Sequence, residues 1–212
     1  MRGVYIPDTV TTVKEYAFMN TPNPTIYVEA VSAPAAWESL WMGYGATVVY
    51  GVKGVVMDEQ GVVYRLFEDN KASVIGFEYN GTANIVIGLE GYTVTSIGKG
   101  AFEESPITSV LIPEGITVIE SQAFYNCTSL ATVYLPSTLI TIEEQTFRFC
   151  NELSELVIPK NVATIGNCAI YNPNGITIYV EADAIPDGWG SIWCDGSYEL
   201  ELSYVPEPEE QA

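Results

Sequence analysis

The chain contains a long internal duplication. About fifty residues at the start recur without a gap 152 positions later, near the C-terminus. The matching segments include Ile6-Pro7 with Ile158-Pro159, Thr25–Ala30 with Thr177–Ala182, and Trp37 and Trp41 with Trp189 and Trp193. Shorter repeats fill the interval between the copies. Self-similarity of this kind is typical of stacked supersecondary units, so the sequence predicts a solenoid.

The shorter repeats have a period of 23 residues, measured between Pro113, Pro136 and Pro159. Before each proline, apolar residues alternate with others, which predicts a strand with one buried face. Proline has no N–H for a ladder and ends that strand. The acid-rich run from Glu143 to Phe147 predicts a short helical turn, because acids favour a helix N-terminus. Stacking the coils about 4.8 Å apart would pair the strands in parallel.

The run from Ile112 to Leu130, repeated from Leu135 to Leu153, resembles the BspA-type leucine-rich repeat. Its landmarks are Ile112-Pro113, Ile119, Ala123-Phe124, Cys127 and Leu130. The resemblance implies a leucine-rich repeat solenoid that is mainly β with short helical turns, a parallel sheet and tryptophan-containing terminal modules. The family occurs in surface proteins of bacteria and some protozoa. It therefore implies an extracellular or cell-surface location, with signal and anchor outside this segment.

We expect five segments along the chain. A β-hairpin is predicted between the two arrays by the short apolar runs after residue 61 and by the turn dipeptide Asn80-Gly81. The predicted segments are 1–51, the last repeat and terminal module of a preceding array; 52–84, a β-hairpin N-terminal cap of a second array; 85–175, leucine-rich repeats; 176–205, a terminal capping module; and 206–212, an acidic Pro-rich tail.

Charge and composition exclude several functions. The net charge is −19, with eight Lys and Arg residues and no His. Such a chain repels nucleic acid and anionic membrane surfaces, whose binding requires basic residues. No apolar run approaches the roughly 18 residues of a membrane span, so we expect no membrane insertion by this segment. Nothing in the sequence indicates an oligomeric state.

The sequence predicts no catalytic residue, cofactor or metal site. The absence of His excludes Ser-His-Asp and Cys-His arrangements and His metal ligands. Adjacent acids such as Glu143-Glu144 could in principle serve a glycosidase, but repeated surface acids are more typical of a solvated face. We therefore expect a protein that is not an enzyme.

Cysteine and tryptophan each leave two interpretations open. Cys127 and Cys150 occupy the same position of successive coils, within disulfide reach, although free thiols filling the core are favoured. The tryptophan pairs have a spacing of four, which would place both rings on one helix face. They are predicted to cover the open end of the core. The alternative, an aromatic sugar-binding platform, requires exposed rings.

Outward positions of the predicted strands form a candidate partner-contact face. An apolar and aromatic stripe crosses the coils, and polar positions accompany it. The candidate residues are Leu111, Tyr134, Val157, Ser109, Thr132 and Glu155. The first hypothesis is an interaction module for a protein partner, and the family resemblance implies adhesion to host matrix proteins or to other cells. The alternatives are a structural spacer in a longer surface protein and, less favoured, a carbohydrate-binding module.

Overall fold

The structure is a computed structural model that describes residues 3–21, 25–30, 32–38, 41–42, 46–79, 81 and 83–205. The chain divides into two compact units: Met1–Val56 with Tyr64–Lys71, and Met57–Val63 with Ala72–Ala212. The predicted tail at 206–212 lies outside the described residues, as does Asn80 of the predicted turn.

The first unit is built on a parallel sheet of three short strands in the order β1-β2-β3. Their bounds are β1 (Gly3–Ile6), β2 (Thr25–Val28) and β3 (Thr47–Tyr50). Alternate residues of β2 are buried, as expected for a strand with one face on a core. The buried core of this unit consists of Ile6, Val13, Ile26, Val28, Trp37 and Trp41.

The hairpin region predicted over 52–84 contains strands. They are β4 (Gly54–Met57), β5 (Val62–Leu66), β6 (Lys71–Phe77) and β7 (Asn84–Val86). A single 3-10 turn, Glu68–Asn70, lies between β5 and β6, and it is the only helical element among the described residues. Its central residue, Asp69, has a left-handed backbone with φ of 60°, a conformation that Asp tolerates better than most residues.

Ten further strands complete the described part of the second unit. They are β8 (Thr93–Ile97), β9 (Ser109–Leu111), β10 (Val118–Ile119), β11 (Thr132–Tyr134), β12 (Thr141–Ile142), β13 (Phe147–Arg148), β14 (Glu155–Ile158), β15 (Thr164–Ile165), β16 (Ile170–Val180) and β17 (Cys194–Leu202).

These strands stack as parallel ladders along the sides of a solenoid. One side has the order β6-β8-β10-β12-β15, and another has the order β7-β9-β11. Near the C-terminal end, β16 pairs with β13, β14 and β17, all in parallel. Thr132 lies opposite Ser109, and Thr141 lies opposite Val118, so neighbouring strands are one 23-residue coil apart. The predicted parallel solenoid is confirmed.

The helical turn predicted from Glu143 to Phe147 is wrong. Gln145 has a left-handed backbone with φ of 57°, which an α-helix does not accept. The Phe147 N–H donates to the carbonyl of Ala169, 2.6 Å away in the next coil, instead of to a carbonyl four residues earlier. Stacked coils satisfy their turn amides in the neighbouring coil, so an acid-rich turn does not need a helix.

Aromatic rings fill the core of the second unit as a ladder. The centroid distances are 5.3 Å from Phe77 to Phe102, 5.0 Å from Phe102 to Phe124, and 5.3 Å from Phe124 to Phe147. Ile170 continues the row, since it lies in register with Phe147. The repeat places one large ring per coil at the same position, which gives an uninterrupted apolar column.

The two cysteines of the repeat are free thiols and almost fully buried, which confirms the favoured interpretation. Cys127 Sγ donates to the Phe102 carbonyl at 2.9 Å, and Cys150 Sγ donates to the Phe124 carbonyl at 3.3 Å. Burial raises the pKa of Cys127 to about 12. It also raises the pKa of Cys150 well above its usual value. Both positions therefore hold neutral thiols under ordinary conditions.

Candidate interaction surface

Two neighbouring strands present an apolar and an aromatic side chain to solvent. In β9 and β11 the central valines are buried, so the flanking residues face outward. Leu111 and Tyr134 lie directly opposite one another in the ladder. Their side chains are 45% and 50% exposed, respectively. The structure thus brings together the two residues at the centre of the predicted stripe.

A third apolar residue extends this patch and was missed in the sequence. Val86 on β7 lies opposite Leu111 and is 55% exposed. Ile85 and Ile87 on either side of it are buried, and this alternation is the sequence signal that could have identified it. Val86, Leu111 and Tyr134 form a row across three strands, which we call the exposed row.

A polar row runs beside the exposed row. Ser109 and Thr132 lie opposite one another and are half-buried. Asn84 Oδ1 accepts hydrogen bonds from Thr108 Oγ1 and Ser109 Oγ, both at 2.9 Å. The Ser109 hydroxyl is therefore already engaged within the sheet, and Thr132 lies beside it in the ladder.

The two remaining candidate residues lie on β14. Glu155 is exposed, whereas Val157 is only half-buried. Val157 lies opposite Tyr179, whose ring packs 4.6 Å from the ring of Tyr204. The stripe thus becomes less exposed towards the C-terminal end.

The sequence model of the BspA-type leucine-rich repeat region matches six copies over residues 76–185, just over half of the 212-residue chain. The chain belongs to the BspA-type leucine-rich repeat family. No curated protein sequence matches it significantly.

Solved bacterial structures share the fold. A leucine-rich repeat protein from Bacteroides capillosus is 24% identical, with a TM-score of 0.52, over 70% of this chain and 97% of that protein. A leucine-rich cell surface protein from Faecalibacterium prausnitzii is 18% identical, with a TM-score of 0.59, over 97% of this chain and 60% of that one. The pneumococcal vaccine antigen PcpA is 16% identical, with a TM-score of 0.54, over 97% and 68% of the two chains.

Several carboxylates of this BspA-type repeat cap turns of an adjacent coil. Glu120 accepts a hydrogen bond from the Lys99 N–H at 3.0 Å, and Glu143 accepts one from the Ser121 N–H at 2.9 Å. Glu114 accepts the Ser137 N–H at 2.9 Å. That hydrogen bond is the main reason why the pKa of Glu114 lies below its usual value. A part of the large negative charge therefore stabilises the stacking of coils.

The tryptophan pairs belong to the core and not to an accessible surface. Trp189 and Trp193 are 8% and 7% exposed, with ring centroids 4.8 Å apart in an edge-to-face arrangement. The indole N–H of Trp189 donates to the Val162 carbonyl at 3.0 Å. The first copy repeats this geometry with Trp37 and Trp41 at 4.7 Å. A sugar platform would need exposed rings, which neither pair offers.

The helix that the tryptophan spacing predicted is not present. The Trp37 and Trp189 N–H groups donate to carbonyls three residues earlier, at Pro34 and Pro186, so both lie in tight turns. A spacing of four residues brings the rings together through consecutive turns, with each ring pair packed as in the other copy. The spacing thus indicated the contact correctly and the element incorrectly.

The described residues contain no group of three His, Cys, Asp or Glu side chains placed to hold a metal ion. In the same part of the chain, no helix has the length and apolar character needed to cross a bilayer. The leucine-rich repeat scaffold is one whose members serve mainly as binding surfaces, built from rigid stacked coils.

Proposed function

We propose that this chain is a non-enzymatic protein-interaction module of a bacterial surface or secreted protein. The exposed row of Val86, Leu111 and Tyr134 is the centre of the contact. The single observation that carries the proposal is the direct adjacency of three exposed apolar side chains across three hydrogen-bonded strands. Contiguous exposed apolar groups on an otherwise polar surface mark interaction sites.

The chemistry of the row fits a protein partner. A tyrosine offers a large apolar ring with a polar tip, and such residues dominate the energy of protein interfaces. Ser109, Thr132 and Glu155 supply a polar margin beside it. Because the strands are held by parallel ladders, little conformational entropy is lost on binding.

Adhesion at the cell surface is the biological setting that we propose. The support is the family itself, together with structural relatives described as a cell surface protein and as a vaccine antigen. The partner would be a host matrix protein or a protein on another cell. Its binding should tolerate salt, because the exposed row is apolar.

A structural spacer is the second candidate, and the internal duplication favours it. Both copies carry a tryptophan pair in the same geometry. We propose that residues 1–51 end one array, that residues 52–84 cap the next, and that residues 176–205 end it. Repeated arrays closed in this way could raise another domain away from the cell.

Label-free binding of the purified chain to immobilised matrix glycoproteins, mucin and polysaccharides separates these functions. The interaction module predicts saturable binding to a protein that persists at physiological salt. Binding that disappears when salt is raised from low to physiological concentration would instead reflect the acidic surface. A complete lack of saturable binding would overturn the module and favour the spacer, while saturable binding to polysaccharide alone would favour a carbohydrate-binding module.

A further inference from the structure

The C-terminal end of the second unit carries a long strand with one open edge. β17 pairs in parallel with β16, and no described strand pairs with its other side. It spans nine residues, Cys194–Leu202, which is long for an edge strand. Unpaired strand edges present a row of N–H and C=O groups that can template pairing with another chain.

The hydrogen-bond pattern of the solenoid identifies the unpaired groups. Core-facing residues bond to the following coil: the Ile87 N–H donates to the Leu111 carbonyl at 3.0 Å, and the Ile112 N–H donates to the Tyr134 carbonyl at 3.1 Å. Because N–H and C=O of one residue point the same way in a strand, every second residue of β17 directs both groups to the open edge. These are the core-facing residues, Leu200 among them.

The same residues leave an apolar row uncovered. Leu200 lies opposite Ile178, and Leu202 lies opposite Val180, and both partners on β16 are fully buried. Leu200 and Leu202 are nevertheless 37% and 39% exposed, and Tyr198 is 44% exposed. The edge therefore displays the inner row of a coil with nothing described stacked upon it.

Charge selects the partner of this edge. Glu199 and Glu201 alternate with the apolar residues and are exposed on the opposite face of β17. Like charges on directly paired strands are destabilising, and the chain carries a net charge of −19, so pairing with a second copy is disfavoured. An added strand with basic residues at alternate positions would place them beside these two carboxylates.

We propose that the open edge of β17 is a docking site for an extended segment of another protein, in which apolar residues alternate with Lys or Arg. The segment adds one strand to the ladder. Its backbone pairs with the open N–H and C=O groups, its apolar residues cover Tyr198, Leu200 and Leu202, and its basic residues face Glu199 and Glu201. This edge is a different surface from the exposed row.

A cleft at the start of the strand provides an anchor point for one basic side chain. It has a volume of about 430 Å³ and lies where the β16–β17 register shifts between Asn172 and Ile176. Its lining includes the hydroxyl residues Ser154, Thr177 and Ser197, together with Glu199. A carboxylate with nearby hydroxyl oxygens suits a Lys or Arg head group, which only donates hydrogen bonds.

The test uses the full chain and a nine-residue peptide of alternating lysine and valine. The control peptide has the same composition with its lysines grouped together. At physiological salt we expect saturable binding of the alternating peptide at least tenfold tighter than that of the grouped one. Leu200→Pro, which removes an outward N–H while the neighbouring residues keep the ladder to β16, should weaken binding at least tenfold.

Two further variants make the result decisive. Leu200→Lys keeps the N–H but repels the basic peptide, and it should also weaken binding if Leu200→Pro perturbs folding. Tyr134→Ala on the exposed row should leave peptide binding unchanged, so failure of this site is distinct from failure of the proposed function. Equal binding of both peptides, equal binding by parent and Leu200 variants, or self-association of the parent that Leu200→Pro abolishes would overturn the proposal.

Discussion

At the scale of single residues, Cys127 and Cys150 show how stacking determines what a repeat position accepts. Each thiol donates to a carbonyl of the preceding coil, Phe102 and Phe124 respectively. Each sulfur therefore has a partner within the core and does not need its neighbouring cysteine. A small, soft group that can make one weak hydrogen bond fits this place better than an aliphatic side chain of similar size.

Buried thiols predict that stability falls at alkaline pH. Burial raises the pKa of Cys127 to about 12, whereas an unfolded cysteine titrates near 8.5. Between those values the unfolded chain has lost the proton and the folded chain retains it. The free energy of unfolding should thus fall by about 1.4 kcal/mol per pH unit for this thiol. Urea denaturation at pH 7, 9 and 10 measures the slope.

Cys127→Ala is the matched variant for that experiment. It removes one titrating group, so its unfolding free energy should fall less steeply above about pH 8.5 than that of the parent. Its stability at neutral pH is expected to be lower, because a buried sulfur and its hydrogen bond are lost. Identical pH slopes in parent and variant would show that the thiol titrates alike in both states.

The residues of the exposed row were only partly predictable from sequence. Leu111 and Tyr134 could be placed because the coils there keep a strict period of 23 residues. Val86 could not, since it precedes its partner Leu111 by 25 residues and lies where the hairpin region joins the array. A period determines register only where coils have equal length, so the first strand of the row required the structure.

At the scale of elements, the phenylalanine ladder holds the coils of the second unit together. Phe102, Phe124 and Phe147 are almost fully buried and stack within 5.0–5.3 Å of one another with nearly parallel rings. Each ring contacts the coil before it and the coil after it. A repeat protein gains its stability from such nearest-neighbour contacts, because one coil cannot bury its apolar face alone.

Phe124→Ala should therefore destabilise the second unit strongly. Removing a buried ring from the middle of the ladder costs about 3–5 kcal/mol, since the transfer free energy is lost and a cavity remains. Chemical denaturation followed by circular dichroism measures the change. Tyr134→Ala is the control, because its ring is half exposed and its removal should cost about 0.5 kcal/mol or less. A similar loss in both variants would contradict the assigned roles.

Element types were predicted less well than element positions. The strand segments followed from alternation and from proline, because both report directly on a ladder. Short helices were predicted at Glu143–Phe147 and at the tryptophan pairs from local preferences alone. Those preferences assume that a turn satisfies its own backbone, whereas in this fold the Phe147 amide is satisfied by the next coil.

At the scale of the whole molecule, negative charge and apolar contact have separate roles. Carboxylates such as Glu114 and Glu143 accept backbone N–H groups from adjacent coils, so part of the charge serves the fold. The exposed row carries no charged residue, and its energy should come from apolar burial. Salt should accordingly change the rate of association with a charged partner more than the final affinity.

The central claim is that the exposed row makes the contact with a protein partner. Its most direct test is the Kd of the Leu111→Ala, Tyr134→Ala double variant for the protein identified in the binding panel. The matched control is Ile140→Ala, Ile192→Ala, which removes two side chains that are 47% and 55% exposed elsewhere on the second unit. We predict at least a hundredfold weaker binding for the first variant, about the effect of losing two interface anchors, and less than threefold for the second. Equal losses in the two variants, or an unchanged Kd in the first, would contradict the account.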